Sequence, residues 1–195
     1  MTTLNVQLLL TGNELMSGDV VDTNSIVIAQ ALKEIGIEVS KKVTVADNIA
    51  MLINEINMMS QQADIIIING GLGPTIDDLT ASALAQATEV ELSLNNDAHQ
   101  HLQRWCQQKG TELNKANLKQ AMLPLHATII PNEIGSAVGF SVTYNQCKIY
   151  CTPGVPHELT QMLTHHLVPT ISSLLPSTSI YKVNRLQAYG IGESS

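Results

Sequence analysis

Four consecutive isoleucines, Ile65 to Ile68, run directly into a glycine-rich turn. Because β-branched residues favour strands and this run is apolar on both faces, it predicts a central parallel strand covered on both sides. The chain then passes through a Gly-Gly-Leu-Gly turn at residues 70–73 and Pro74. We expect a helix to begin after it, capped by Asp77. Open α/β sheets hold anionic ligands where a strand meets a glycine turn and a helix, so the sequence predicts a site for a phosphorylated small molecule here.

Two adjacent acids, Asp77 and Asp78, make this turn more specific. A helix cap needs only one side chain, and two carboxylates beside a phosphate would repel it unless a divalent metal lay between them. The turn is not a Walker A loop, because no Gly-Lys-Ser/Thr follows it. It is not the dinucleotide fingerprint either, because Ile76 stands where that motif needs its last glycine.

Composition narrows the range of partners. The chain has 195 residues, a formal net charge of −7 and no basic run, so nucleic acid and anionic membranes are poor partners. No segment approaches the roughly 20 apolar residues of a membrane helix, and the start of the sequence predicts a strand rather than a signal peptide. Three cysteines, Cys106, Cys147 and Cys151, lack metal or redox spacing, which favours a reducing cytoplasm.

Strand and helix patterns alternate along the chain and predict a three-layer α/β/α sandwich with a mostly parallel sheet and an antiparallel edge hairpin. The predicted strands are 6–10, 37–45, 65–68, 127–130, 140–144, 147–152 and 180–189. The predicted helices are 22–35, a helix capped by Asp47, 77–88, an interrupted stretch at 95–122, and 156–175. Loops after the predicted strands carry Glu14, Asp22, Asn24, Asp47 and Glu158. Because such loops converge at one edge of a parallel sheet, these residues predict a single crevice.

Five ordered blocks of the sequence resemble one family. The blocks are Gly12-x-Glu14-Leu15 with Asp22-Thr23-Asn24-Ser25; Val45-x-Asp47-Asn48; Gly70-Gly71-Leu72-Gly73-Pro74-Thr75-x-Asp77-Asp78-x-Thr80; Asn117-x-Lys119-Gln120-Ala121 with Pro131-Asn132-x-x-Gly135-Ser136; and Pro153-Gly154-Val155-Pro156-x-Glu158. The glycine block is similar to the molybdopterin-binding (MoaB/MogA-like) fold. The ordered set resembles the N-terminal domain of the competence/damage-inducible CinA family. The chain departs from that family at Asn13, where Asp or Thr is common, and at Val138, where Pro is common.

The resemblance implies metal-dependent hydrolysis of the pyrophosphate bond of ADP-ribose, or of a related nucleoside diphosphate sugar, giving AMP and ribose 5-phosphate. It implies Asp47 and Asp78 as catalytic residues, and a divalent metal (Mg²⁺, Mn²⁺ or Co²⁺, with K⁺ as a further candidate) on Glu14, Asp47, Asp77 and Asp78. The substrate contacts that it implies are Asn24, Gly70, Gly71, Leu72, Gly73, Thr75, Thr80, Lys119, Asn132, Gly135, Ser136, Pro153, Gly154 and Glu158. The related folds assemble as dimers or trimers, so we expect a homo-oligomer, with a dimer favoured.

The same resemblance divides the chain. Residues 1–175 form the predicted CinA-type domain, and residues 176–195 are expected to begin a following segment or middle domain, because residues 189–194 resemble its opening. The nicotinamide-nucleotide amidase activity of some family members belongs to a separate C-terminal domain and is not assigned to this chain.

Other interpretations stay open. The chain could be a molybdopterin-type binding or adenylylation domain without hydrolase activity, or a nucleotide-sensing or oligomerising module. Several candidate residues also have ordinary structural explanations. Asp47 is suited to cap a helix, as are Asn24 and Ser25, and Glu158 suits a helix dipole. Lys119 would be an exposed helix lysine, and the segment with Asn132, Gly135 and Ser136 would be an ordinary turn.

Overall fold

The computed structural model describes residues 4–175, which form two sheets and the helices around them. The strands, in chain order, are β1 (Val6–Thr11), β2 (Val39–Val45), β3 (Ile65–Asn69), β4 (Leu92–Leu94), β5 (Met122–Pro124), β6 (Thr128–Ile130), β7 (Gly139–Tyr144) and β8 (Cys147–Thr152). Six of them form the main sheet in the order β2-β1-β3-β8-β7-β6. The first four strands in that order are parallel, and β7 is antiparallel to both β8 and β6. The predicted fold class is therefore confirmed.

The isoleucine run is the middle of this sheet. All of β3 is buried, and its side chains alternate between two cores on opposite faces. Ile66 and Ile68 belong to one core and Ile65 and Ile67 to the other. Because both faces of β3 are covered, neither could carry polar residues, which is why the sequence shows a continuous apolar run rather than an alternating one.

Helices cover both faces of the sheet. They are α1 (Asn13–Ser17), α2 (Asn24–Glu34), α3 (Ile49–Ser60), α4 (Thr80–Ala87), α5 (Asn96–Lys109), α6 (Lys115–Leu118), α7 (Pro156–Met162) and α8 (Val168–Ser172), with a 3₁₀ turn at Lys119–Ala121 and a π-helical turn at Leu163–Leu167. The core that holds Ile66 also receives buried residues of α3, α4 and α5. The core that holds Ile65 receives residues of α2, α7 and α8. The molecule has the three layers that the sequence predicts.

Two predicted helix caps are wrong. The helix after the glycine turn begins at Thr80, because the Asp78 carboxylate instead accepts hydrogen bonds from Thr75 within the turn. Asp77 caps no helix. Asn48, and not Asp47, caps α3, since its side chain accepts from the backbone N–H of Met51. Neither Asp77 nor Asp47 is therefore the helix cap that the sequence predicts.

The other differences lie in loops and short elements. The second strand begins at Val39 rather than at residue 37, because the backbone N–H of Ile37 still bonds the carbonyl of Leu32 at the end of α2. Two elements that the sequence did not predict are α1 and the two-stranded antiparallel sheet of β4 and β5. The predicted helical stretch at 95–122 divides where Gly110 takes the left-handed conformation. The predicted strand at 180–189 lies outside the described residues, as does the proposed segment 176–195.

The predicted hairpin of β7 and β8 is confirmed, with Asn145 and Gln146 both at positive φ in its turn, and β6 continues the sheet beyond it as the edge strand. This is the backbone twist that a two-residue hairpin loop requires. Cys147 and Cys151 lie on one face of β8 and enter the same core. Burial and the nearby Asp64 charge raise the pKa of the Cys147 thiol to about 12. Burial also raises the pKa of Cys151 well above its ordinary value, so both thiols are protonated core groups.

Candidate functional site at the carboxyl edge of the sheet

The loops that follow β1, β2, β3 and β8 meet in one crevice of about 600 Å³. Such an edge is where open α/β sheets bind ligands, and the volume suits a small-molecule ligand. Of the predicted site residues, the crevice is lined by Glu14, Asn24, Asp47, Gly70, Gly71, Leu72, Gly73, Thr75, Asp77, Asp78, Ser136, Pro153, Gly154 and Glu158. Four others, Thr80, Lys119, Asn132 and Gly135, are not in its lining.

The glycine loop, residues 70–79, keeps several backbone amides free. Gly70 and Gly71 lie at positive φ, and a Cβ on Gly70 would approach the backbone oxygen of Thr11 to 2.5 Å, so only glycine fits there. The N–H groups of Gly71, Leu72 and Gly73 donate to no acceptor among residues 4–175. Unpaired amides that line a crevice are suited to phosphate oxygens.

Side chains on the loop and behind it fix its shape. Asp78 Oδ2 accepts from the Thr75 N–H (2.8 Å) and hydroxyl (2.7 Å), so the Thr75 amide that we expected to bind phosphate is already engaged. The ammonium of Lys119 donates to the Thr75 carbonyl from outside the crevice. The buried hydroxyl of Thr80 donates to the carbonyl of Gly70 at 2.8 Å. Lys119 and Thr80 therefore hold the loop rather than line the crevice.

Asp47 ties the β2 exit to the β1 exit. Its two carboxylate oxygens accept from the Thr11 hydroxyl (2.7 Å) and from the backbone N–H of Asn13 (2.9 Å). In return, the Asp47 N–H donates to the Asn13 side chain at 3.1 Å. This reciprocal pair fixes the carboxylate at the crevice wall. Asn13, where the family often has an acid, is thus a partner of Asp47.

Asn69, the last residue of β3, is a site residue that sequence reasoning missed. It is buried, and its side-chain N–H₂ donates to the Thr152 hydroxyl (3.1 Å) and to the Pro153 carbonyl (2.8 Å). Its oxygen accepts from the Asn24 amide (2.9 Å), which also donates to the Gly154 carbonyl (2.7 Å). Asn69 therefore joins the exits of β3 and β8 to the start of α2. An asparagine that ends an otherwise apolar strand was the signal available in the sequence.

Asp22 anchors the start of α2, which borders the crevice. Its carboxylate accepts from the backbone N–H of Ser25 at 2.9 Å and from the Ser25 hydroxyl, and it pairs with Lys42 at 3.1 Å. Burial alone would raise the pKa of Asp22, but the Ser25 hydrogen bonds and the Lys42 charge outweigh it and lower that pKa. Asn24 and Ser25 do not cap α2 with their own side chains, and Asp22 receives the bond that a cap would make.

The side chain of Asn132 holds the segment 131–138 through hydrogen bonds to its backbone. Asn132 is buried, accepts from the Gly135 N–H (3.0 Å) and donates to the Ala137 carbonyl (2.7 Å) and to Glu158 (2.7 Å). The ring of His101 bonds the Gly135 carbonyl at 2.9 Å. Neither Asn132 nor Gly135 faces the crevice, although Glu158, which Asn132 holds, lies in its lining. Asn132 and Gly135 therefore shape an ordinary turn, which is the structural alternative that the sequence left open for them.

The crevice offers suitable donors for a metal ion, but they do not form a preorganised ligand set. Glu14, Asp47, Asp77 and Asp78 all line the crevice, and carboxylate oxygens suit Mg²⁺ or Mn²⁺. Within residues 4–175, no three acidic, histidine or cysteine side chains come together as a metal-holding group. Such ions usually bind one or two carboxylates together with substrate phosphates and waters. The donors present therefore fit an ion that a phosphate ligand shares.

Comparison with known proteins identifies the family. The pattern of the family described as "Probable molybdopterin binding domain" matches residues 7–173. The chain belongs to this family. The resemblance to CinA proteins is also confirmed: a CinA-like protein of Colwellia psychrerythraea is 62% identical over 195 residues, which cover the whole chain and 45% of that protein. The chain spans about half the length of the curated relatives that it matches.

Another relative, from Shewanella oneidensis, is named nicotinamide-nucleotide amidohydrolase PncC and is 38% identical over 98% of the chain and 45% of its own length. Among solved structures, the CinA protein of Thermoplasma acidophilum, titled as having unknown function, gives a TM-score of 0.79 at 27% identity, over 87% of this chain and 98% of that one. The MoaB protein of Thermus thermophilus gives 0.58 at 18% identity, over 88% and 96% of the two chains, and shows the shared fold alone. No helix in the described part of the chain is long and apolar enough to cross a membrane.

Proposed function

We propose that this domain hydrolyses the pyrophosphate bond of ADP-ribose, or of a related nucleoside diphosphate sugar, to AMP and ribose 5-phosphate with the help of a divalent metal. One observation carries the proposal: the anchored carboxylates of Asp47 and Asp78 line the same crevice as the free amides of Gly71 to Gly73. Amides without acceptors favour phosphate, whereas carboxylates disfavour it. A ligand that satisfies both is a phosphate ester that arrives with a cation.

Each group then has a defined task. The amides of Gly71, Leu72 and Gly73 would bind the phosphate oxygens and stabilise the charge that develops on them. We assign the cation to Asp47 and Asp78, whose positions the Thr11, Asn13 and Thr75 hydrogen bonds already fix. When bound, a divalent ion would neutralise the pyrophosphate and lower the pKa of an attacking water.

The proposal is tested by incubating the purified chain with ADP-ribose and Mg²⁺, Mn²⁺ or Co²⁺, and measuring AMP. We expect AMP release that a chelator abolishes. Asp78→Ala and Asp47→Ala should each lower kcat/KM by about 100-fold or more, because each removes an anchored charge from the site. Asp97→Ala, a matched control in the first turn of α5 outside the crevice, should leave the rate unchanged. No AMP release with any of the three metals would reject the activity. Intact hydrolysis in both site variants would reject our assignment of residues.

A second function is a molybdopterin-type binding or adenylylation domain without this hydrolase activity. The family match over residues 7–173 and the fold shared with MoaB favour it. It requires the same amide cradle but no metal-dependent cleavage. Tight binding of molybdopterin without turnover of ADP-ribose would support this function against the first. The expected homo-oligomer, with a dimer favoured, remains part of the proposal and is measured by light scattering.

A further inference from the structure

Gln120 is a buried residue of the crevice wall, and only the nitrogen of its carboxamide has a hydrogen-bond partner. The residue is 8% exposed and lies in the 3₁₀ turn after α6. Its Nε2 donates to the Ser136 hydroxyl oxygen at 3.0 Å. Its Oε1 is buried and accepts no hydrogen bond from the part of the chain that the structure describes. An unpaired buried amide oxygen is costly and uncommon, so its position at a ligand crevice calls for a partner.

The hydrogen-bonding capacity of this pair does not depend on which way the amide is turned. As placed, Gln120 Oε1 is a free acceptor and the Ser136 hydroxyl keeps its proton as a free donor. With the amide turned over, Ser136 would donate to Oε1, and Gln120 Nε2 would be the free donor beside a free lone pair on Ser136. In both cases the two side chains offer at least one donor and one acceptor. A hydroxyl group, which both donates and accepts, is complementary to this pair.

The position of Gln120 indicates where in the ligand this hydroxyl lies. Gln120 lines both the crevice and a smaller cavity of about 30 Å³ behind the glycine loop. Gly71, Leu72, Gly73 and Asp78 line both spaces as well. Ser136 lines the crevice but not the smaller cavity, so the two side chains meet a common ligand group on the crevice side. The group that reaches both is therefore polar and next to the phosphate that the loop amides would bind.

We propose that Gln120 and Ser136 recognise a ribose hydroxyl of the substrate and so determine a preference for ribose phosphate esters. In ADP-ribose, a ribose is the direct neighbour of each phosphate, while the base lies farther along the molecule. A ribose also carries adjacent hydroxyls that can donate to one partner and accept from the other. This inference rests on the proposed function, because it names the part of that substrate which the crevice selects.

The experiment measures binding rather than turnover, by calorimetric titration in Mg²⁺ buffer with ribose 5-phosphate and with methyl phosphate, an ester that has no hydroxyl. The Gln120→Met variant removes both polar atoms and keeps most of the buried volume. It should lower the affinity for ribose 5-phosphate by about tenfold, the effect of one lost hydrogen bond, and should change the affinity for methyl phosphate by less than about twofold. Ser136→Ala should have the same selective effect.

Gln161→Met is the matched control. Its Oε1 is likewise buried without a partner among the described residues, but Gln161 lies on α7 outside the crevice lining. This variant should change neither affinity. Equal losses for both esters in Gln120→Met, the same selective loss in Gln161→Met, or a wild-type chain that does not bind ribose 5-phosphate more tightly than methyl phosphate would each overturn the inference. AMP release from ADP-ribose is measured separately. Its absence, together with a selective loss in Gln120→Met, would refute the hydrolase and leave the ribose recognition standing.

Discussion

Two glycine-containing loops border the crevice, residues 70–79 after β3 and residues 131–138 before β7, and they use their backbones differently. In the first loop, side chains hold the carbonyls of Gly70 and Thr75, and the amides of Gly71 to Gly73 stay free. In the second, the Asn132 side chain takes the Gly135 N–H and the Ala137 carbonyl. The first loop thus presents three consecutive free amides, whereas in the second a buried asparagine occupies backbone groups of Gly135 and Ala137. Glycine content does not distinguish the two loops, but the backbone groups that side chains occupy in each of them do.

The largest expected effect contrasts Gly70→Ala with Gly135→Ala. Gly70 lies at φ +107, and a Cβ there meets the Thr11 backbone, which cannot move aside. We expect a loss of about 3 kcal/mol in the free energy of unfolding and no detectable AMP release. In Gly135→Ala the new Cβ meets only the ends of the Glu158 and Asn132 side chains, so a loss of about 1 kcal/mol is expected. Urea unfolding of both variants measures the difference. Equal losses would mean that the two loops are equally constrained.

A second pair separates stability from ligand binding. Asn69 and Asn132 are both 3% exposed, and each organises one loop. Replacing either with Ala leaves buried groups without partners and should lower the free energy of unfolding by about 2–3 kcal/mol. Asn69→Ala should also raise KM for ADP-ribose by about tenfold, because Asn69 positions the loop with the free amides. Asn132→Ala should raise KM less, because it can disturb the ligand only through Ser136, and an equal or larger rise would show that segment 131–138 contributes as much to binding as the glycine loop.

The smallest effect is expected at the start of α2, which borders the crevice as the two loops do. An ion pair between Asp22 and Lys42 anchors this part of the crevice. The pKa of Asp22 is lowered on folding, so the folded state binds fewer protons there than the unfolded state. The stabilisation from Asp22 is therefore complete above its unfolded pKa of about 3.9 and is lost as the pH falls through the lower folded pKa. At pH 7, Asp22→Asn should be less stable than the wild type by under about 1 kcal/mol, because the pair is partly solvated.

Urea unfolding at pH 7 and near pH 3 checks this sign. The difference between Asp22→Asn and the wild type should shrink toward zero on acidification, whereas it should not change for an uncharged position such as Asn69→Ala. A difference that grows at low pH would contradict the lowered pKa of Asp22.

Much of the fold was predictable, because burial imposes recognisable patterns of apolar residues on the sequence. Two covered faces require the apolar run of β3, and the hairpin turn requires residues that tolerate positive φ at Asn145 and Gln146. Convergence of the strand exits follows from parallel topology, so the sequence could place Asp47 and Asp78 near one another. The small β4–β5 sheet could not be predicted, because three-residue strands carry too little periodicity to be recognised.

Roles within the site were harder to predict, because they depend on which hydrogen-bond partners are already taken. Nothing local in the sequence says that Asp78 bonds Thr75 within the turn, or that Lys119 reaches the Thr75 carbonyl from 44 residues away. Asn69 and Gln120 were missed for the same reason. Both act through contacts with residues far along the chain, and single side chains of this kind leave no periodic signal.

The pairing of β3 with β8 has a consequence for how the domain is made. Asn69 bonds Thr152, which lies 83 positions farther along the chain, and this contact helps to position the glycine loop. Contacts this distant form slowly, since the chain entropy of closing the loop must be overcome before they contribute. During synthesis, β1, β2 and β3 therefore leave the ribosome well before the strand that completes the crevice. The nascent chain exposes an unpaired edge on β3 throughout that interval, and this delay is where chaperones would protect the protein from aggregation.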